Sequence, residues 1–216
     1  LAPGIGGRPA GGTPDMPALA RRAAVVRESD TPAEPLHRLV EANRVDQTVS
    51  SYATFDDLLS YCALSADPVG PLVLYAFDVA TPERIALSDR VCTALQVIEH
   101  CQDVAEDFAA GRVYLPAEDL RAFGCTDADL GAQSTPTRLR GAVARVADRA
   151  AALMDSGSPL AGRLDGWARI SVAGYLAGGR ATLAALHGGA YDVHAAALRP
   201  SRARTLAEAL KILGGK

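Results

Sequence analysis

A chain of 216 residues, 49% hydrophobic and 22% charged, is long enough to bury one core of its own and short for two domains. Its formal net charge of −3 and pI near 5.8 exclude a general electrostatic attraction to nucleic acid or to an anionic bilayer, so any anion it handles must be held locally. Cys62, Cys92, Cys101 and Cys125 lack C-x-x-C spacing and the density of a disulfide scaffold, and read as reduced cytosolic thiols, mostly buried. No charged n-region precedes an apolar h-region, and no apolar run reaches spanning length. The expectation is a cytoplasmic chain, with peripheral membrane association the furthest it would go.

Residues 1–33 open with "LAPGIGGRPAGGTPDMP", rich in Gly and Pro and without apolar periodicity, which predicts an irregular lead-in. From residue 34 to 216 the text turns to alanine- and leucine-rich segments with apolar residues at three- and four-residue intervals, the pattern of one all-helical domain. Thr54 is placed to N-cap "FDDLLSYCALSA", with Asp56 and Asp57 in the first turn, where the helix dipole favours acids. Asp67-Pro68 breaks or kinks the chain before "VGPLVLYAFD". Thr81-Pro82 then opens the longest predicted helix, 82–111, with Thr as cap and Pro at the first helical position. Further helices are predicted over 137–155, 160–186 and 201–213, with no period-2 strand and no internal repeat.

On the long helix, Gln96, Glu99, Asp103 and Asp107 are spaced by three, four and four residues and share one stripe. Like charges in that relation repel unless a cation lies between them. Oxygen-only ligands suit magnesium, which binds through one or two carboxylates plus substrate phosphates. A solvated acidic face is the other reading of the same spacing.

The stretch "ALQVIEHCQDVAEDFAAGRVYLPAEDLRAFG" resembles the second aspartate-rich motif of the squalene and phytoene synthases, in which an acidic helix runs into G-R-x-Y-L-P and then an E-D-L turn. "YCALSADPVGPLVLYAF" resembles that family's Tyr-Cys helix, kinked at a Val-Gly pair. Its wording, with the Gln before Asp103, is most similar to the hydroxysqualene synthase branch. "YLAGGRATLAAL" and "AYDVH" also match, and the resemblance runs from about Leu36 onward.

The resemblance implies an all-α prenyl-synthase bundle around a deep apolar cavity, with Mg2+ and a prenyl diphosphate, presqualene or farnesyl, at its mouth. It assigns Asp103 and Asp107 to the metal–diphosphate cluster, Gln96 to polar contacts there, Arg112 to a diphosphate oxygen, and Tyr61 to the neighbourhood of the leaving group and carbocation. Glu99 stands where the family has Asn and is a third candidate metal ligand. Asp67 stands where the branch has Asn. The first aspartate-rich motif, expected upstream of Tyr61 on a facing helix, is not recognised: Asp30 and Glu34 are interrupted by Pro32, and Asp56-Asp57 belongs to the Tyr-Cys helix. The reaction implied is conversion of presqualene diphosphate to hydroxysqualene. Head-to-head condensation of farnesyl diphosphate, or lipid or partner binding by a non-catalytic relative, are the alternatives.

Overall fold

The computed structural model describes residues 32–195 and 200–215. Among them all regular structure is helical, apart from one isolated parallel bridge between Ser51 and Val113. The lead-in expected over 1–33 lies, except for its last two residues, outside the described residues.

Helix α1, Glu34–Val45, carries Pro35 in its first turn. Helix α2, Phe55–Ser65, starts as predicted. Thr54 Oγ1 accepts from the Asp57 N–H, and Asp57 Oδ2 accepts from the Thr54 N–H, a reciprocal cap. The chain then kinks through Asp67-Pro68 into α3, Val69–Ala76. Gly70 is where α3 meets the next helix: a Cβ there would overlap Ser88 Oγ and lie 3.2 Å from Cys92 Sγ, so only glycine lets the two backbones come this close.

Taken together, Phe55–Ala76 has the length and apolar composition of a membrane-crossing segment, contrary to expectation, yet half of its most apolar window is buried inside the fold. The kink at Asp67-Pro68 also divides it into two core helices.

Thr81 caps α4, Pro82–Gln102, by accepting from the Arg84 N–H at 3.3 Å, and Pro82 takes the first turn. The predicted single helix over 82–111 is divided at Asp103, and α5, Val104–Ala109, continues beyond it. Then come α6, Ala117–Ala122, α7, Asp127–Leu130, and α8, Thr137–Gly157. The helix predicted over 160–186 is a 3-10 turn, Ser158–Arg163, followed by extended Leu164 and Asp165 and then α9, Gly166–Gly188. Pro159 has no N–H to donate, and glycines at 157 and 162 give a helix little support there. Ser201 caps α10, Arg202–Leu213.

Helix α4 runs through the middle, packed against α2, α3, α8 and α9. Val97, Leu139, Val143, Val146, Met154 and Leu176 are fully buried around it, each contributing roughly 1.5–3 kcal/mol of transfer free energy. The "AYDVH" segment is tied to the start of α8 and the residues before it. Thr135 Oγ1 donates to Asp192 Oδ1 at 2.8 Å, Arg140 pairs with Asp192, and His194 Nε2 meets the Leu130 carbonyl at 2.8 Å.

Candidate functional site

The site is built on the end of α4 and the turn after α5. Asp103, at φ −96° and ψ 17°, leaves the helical region without losing register: its N–H bonds the Glu99 carbonyl at 3.0 Å, and its carbonyl accepts from the Asp107 N–H at 2.8 Å. Asp103 and Asp107 therefore remain one turn apart. The Asp103 carboxyl is pushed above the ordinary range by burial first and then by the charges of Asp107, Glu106 and Glu99. Asp107 Oδ2 is buried, has no hydrogen-bond partner among the described residues, and faces His100 Nδ1 at 3.8 Å.

Helix α5 ends in a Schellman motif. Gly111 adopts φ +79°, its N–H bonds the Phe108 carbonyl at 3.0 Å, and the Arg112 N–H bonds the Asp107 carbonyl at 2.8 Å. Arg112 thus begins its side chain from a peptide hydrogen-bonded to the acidic residue itself. Its Nη2 reaches the Asp46 carbonyl at 3.4 Å. Past Arg112 the chain runs beside residues 50–53, with Val113 N–H on the Ser50 carbonyl at 2.7 Å and Ala117 N–H on the Tyr52 carbonyl at 2.9 Å.

That pairing assembles an aromatic wall. Tyr52 and Tyr114 stack at 5.9 Å between centroids, Tyr61 lies 5.3 Å from Tyr52 and 5.7 Å from Tyr114, and His100 stacks on Tyr114 at 3.8 Å with 10° between planes. Burial, followed by the Asp46 carboxylate and Tyr114, holds the Tyr61 hydroxyl well above its ordinary pKa. Burial does the same for Tyr52 and Tyr114. At neutral pH the wall is therefore three protonated phenols and carries no phenolate. Asp46 Oδ1 and Tyr52 Oη are buried without hydrogen-bond partners among the described residues.

Of the residues singled out from sequence, Asp103, Asp107, Arg112, Tyr61 and Gln96 come together, Gln96 through its 3.1 Å contact with His100. Glu99 is exposed. Although its charge acts on Asp103, it lies on the rim of an open groove of about 290 Å³ between α4 and α9, with Leu95, Ile98, Gln102 and Tyr175. Among the described residues no group of three or more His, Cys, Asp or Glu side chains could hold a metal ion. What remains fits magnesium bound jointly with phosphate: one buried carboxylate oxygen lacks a partner among the described residues, and a second carboxyl is raised by burial and then by neighbouring negative charge, the part a dication would offset.

His100, Tyr52, Tyr114 and Asp46 were not expected to meet here. His100 looks in sequence like any lone helix histidine. Asp46 and Tyr52 lie between helices, where periodicity says nothing.

The fold is that of the trans-prenyl synthases. The chain superposes on a dehydrosqualene synthase solved with ligand at a TM-score of 0.81, covering 94% of this chain and 72% of that one, with 20% identity, a likeness of fold alone. It superposes on squalene synthase HpnC from Alicyclobacillus acidocaldarius at 0.77, with 42% identity over 82% of this chain and 67% of that one. The squalene/phytoene synthase family model matches residues 5–207, and the chain belongs to that family of enzymes. Among curated relatives it is similar to the hydroxysqualene synthase of Zymomonas mobilis, 39% identical over 56% of this chain and 40% of that protein. It is also similar to that of Rhodopseudomonas palustris, 37% identical over 58% and 43%. The chain therefore spans less than half the length of these relatives.

Proposed function

We propose that the α4–α5 junction holds the diphosphate of a prenyl diphosphate, and that the reaction served is magnesium-dependent conversion of presqualene diphosphate to hydroxysqualene. The observation that carries this reading is the Asp103–Asp107 pair with Arg112 tied by its backbone to Asp107, all beside a wall of protonated phenols. Magnesium, when bound, would offset the negative charge that develops on the departing diphosphate. Asp103 and Asp107 would hold it, with Glu99 the carboxylate next in reach. Arg112 offers its guanidinium to a diphosphate oxygen as the carbon–oxygen bond breaks. Tyr61, Tyr52 and Tyr114 would supply aromatic surface beside the clamp for a carbocation, and the α4–α9 groove would offer hydrocarbon surface to a prenyl chain. Water then adds to the cation, and the proton it loses passes to the departed diphosphate, leaving the alcohol.

The similarity to three hydroxysqualene synthases at 34–39% identity supports this reaction. Head-to-head condensation of two farnesyl diphosphates is the second reading, supported by 42% identity to a structure described as a squalene synthase. A non-catalytic lipid- or partner-binding role is the reading left if no turnover is found with either substrate even when a D-x-x-x-D helix is joined to the chain.

The clamp calls for a second acidic helix facing Asp103 and Asp107. We therefore expect the 216-residue chain alone to bind a non-hydrolysable prenyl diphosphate weakly and only with magnesium, and to form little hydroxysqualene. Joined to a segment carrying a D-x-x-x-D helix, it should turn over. Loss of about 4 kcal/mol of leaving-group stabilisation corresponds to roughly a thousandfold in rate. Equal affinity by calorimetry with and without magnesium would overturn the cluster assignment, and squalene from farnesyl diphosphate as sole product would select the second reading.

A further inference from the structure

His100 is buried, yet none of the roles above uses it. Its ring is fixed on three sides. Tyr114 covers one face at 3.8 Å and nearly parallel, Gln96 Nε2 lies 3.1 Å from its Nε2, and its Nδ1 faces Asp107 Oδ2 across 3.8 Å. An amide N–H can donate to Nε2 only if that nitrogen keeps its lone pair, so the ring proton belongs on Nδ1. With the Gln96 amide turned over, Nε2 would carry the proton and a bare Nδ1 lone pair would face the carboxylate, while the Tyr114 stack keeps the ring from turning away. Of these two neutral arrangements only the first turns a donor toward Asp107 Oδ2, across a gap of 3.8 Å that is longer than a hydrogen bond.

We propose that Gln96, His100 and Asp107 form an oriented relay, in which Gln96 fixes the imidazole tautomer and His100 is a positioning residue that presents Nδ1–H to Asp107 Oδ2. Gln96 then acts on the site through His100 rather than by touching diphosphate. The relay places a donor before the carboxylate oxygen that is buried without a hydrogen-bond partner among the described residues, and leaves that oxygen open to a cation. Carboxylates that ligate a metal are ordinarily hydrogen-bonded in turn by an outer side chain. The consequence for metal and diphosphate rests on the function proposed above, whereas the tautomer does not.

Two-bond 1H–15N spectra of the 15N-histidine-labelled chain at pH 7.5 test the tautomer, with His100 assigned by its loss in His100→Asn. The expected pattern is a neutral ring with the proton on Nδ1, shifting toward Nε2 in Gln96→Leu. A proton on Nε2 in the unsubstituted chain, or a pattern indifferent to Gln96→Leu, overturns the relay. Calorimetry with magnesium and inorganic pyrophosphate supplies the second reading. His100→Asn keeps an N–H near the Nδ1 position and should bind within about threefold of the unsubstituted chain. His100→Phe keeps only the stack on Tyr114 and should lose about tenfold or more. If Phe matches or exceeds Asn, the histidine is packing and the proposal fails. If the unsubstituted chain binds no magnesium pyrophosphate, the diphosphate reading fails and the spectra alone decide the relay.

Discussion

At the scale of single residues, Asp103 shows a conflict between stability and use. Its carboxyl is partly buried and is surrounded by the charges of Asp107, Glu106 and Glu99, an arrangement that costs free energy and that the magnesium of the proposed function would offset. Asp103→Asn should raise the stability of the unliganded chain by about 0.5 kcal/mol, small because solvent screens the repulsion, and should abolish the magnesium dependence of diphosphate binding. Urea unfolding and calorimetry on the same preparation check the two halves. A destabilised Asp103→Asn chain would mean that the carboxylate makes a structural contact at the α4–α5 break instead.

At the scale of elements, the kink between α2 and α3 contains a second raised carboxyl. Asp67 is buried and accepts from Thr93 Oγ1 at 2.6 Å. Burial pushes it up to about 6, with Thr93 lowering it and Asp89 raising it. Since the folded state favours the protonated acid, stability falls as pH rises from the ordinary aspartate range, near 4, to about 6, and stays low above that. Asp67→Asn should remove this slope and add about 2 kcal/mol at pH 7.5, read as a higher Tm there and an unchanged one near pH 4. The kink itself was legible, as were the Thr54 and Thr81 caps, because proline and capping side chains act within a few residues. The break at Asp103 was not. Neither Gly nor Pro marks it, and the residues beyond it meet a partner distant in sequence, Phe108 lying against Gly131 just past α7.

At the scale of the whole molecule, the turn after Leu115-Pro116 binds distant helices together. Asp119, 1% exposed, pairs with Arg149 and with Arg145 Nε at 3.2 Å. The Arg149 guanidinium lies 3.9 Å over the Phe55 ring, and Glu118 Oε1 accepts from the Phe55 N–H at 2.9 Å. Asp119→Ala would leave half-exposed Arg145 without its carboxylate and Arg149 with Glu118 alone, at 3.6 Å, and should cost about 1–3 kcal/mol in urea unfolding. A loss below about 1 kcal/mol would show that the arginines find water instead.

The part of the site carried by one contiguous motif, from Gln96 to Arg112, was readable because helix geometry and the Gly-Arg turn place it locally. Asp46 and Tyr52 were not, because only the Ser50–Val113 and Tyr52–Ala117 backbone bonds bring them in. The cysteines carry a consequence of another kind. Cys62 and Cys101 are buried among these helices, and burial raises their thiols, with that of Cys92, to about 12, and Cys125 in the same direction. At physiological pH all four remain thiols rather than thiolates. Peroxide and disulfide reagents therefore meet little thiolate at Cys62 and Cys101 while the chain is folded, and half-buried Cys125 is the sulfur they should reach first.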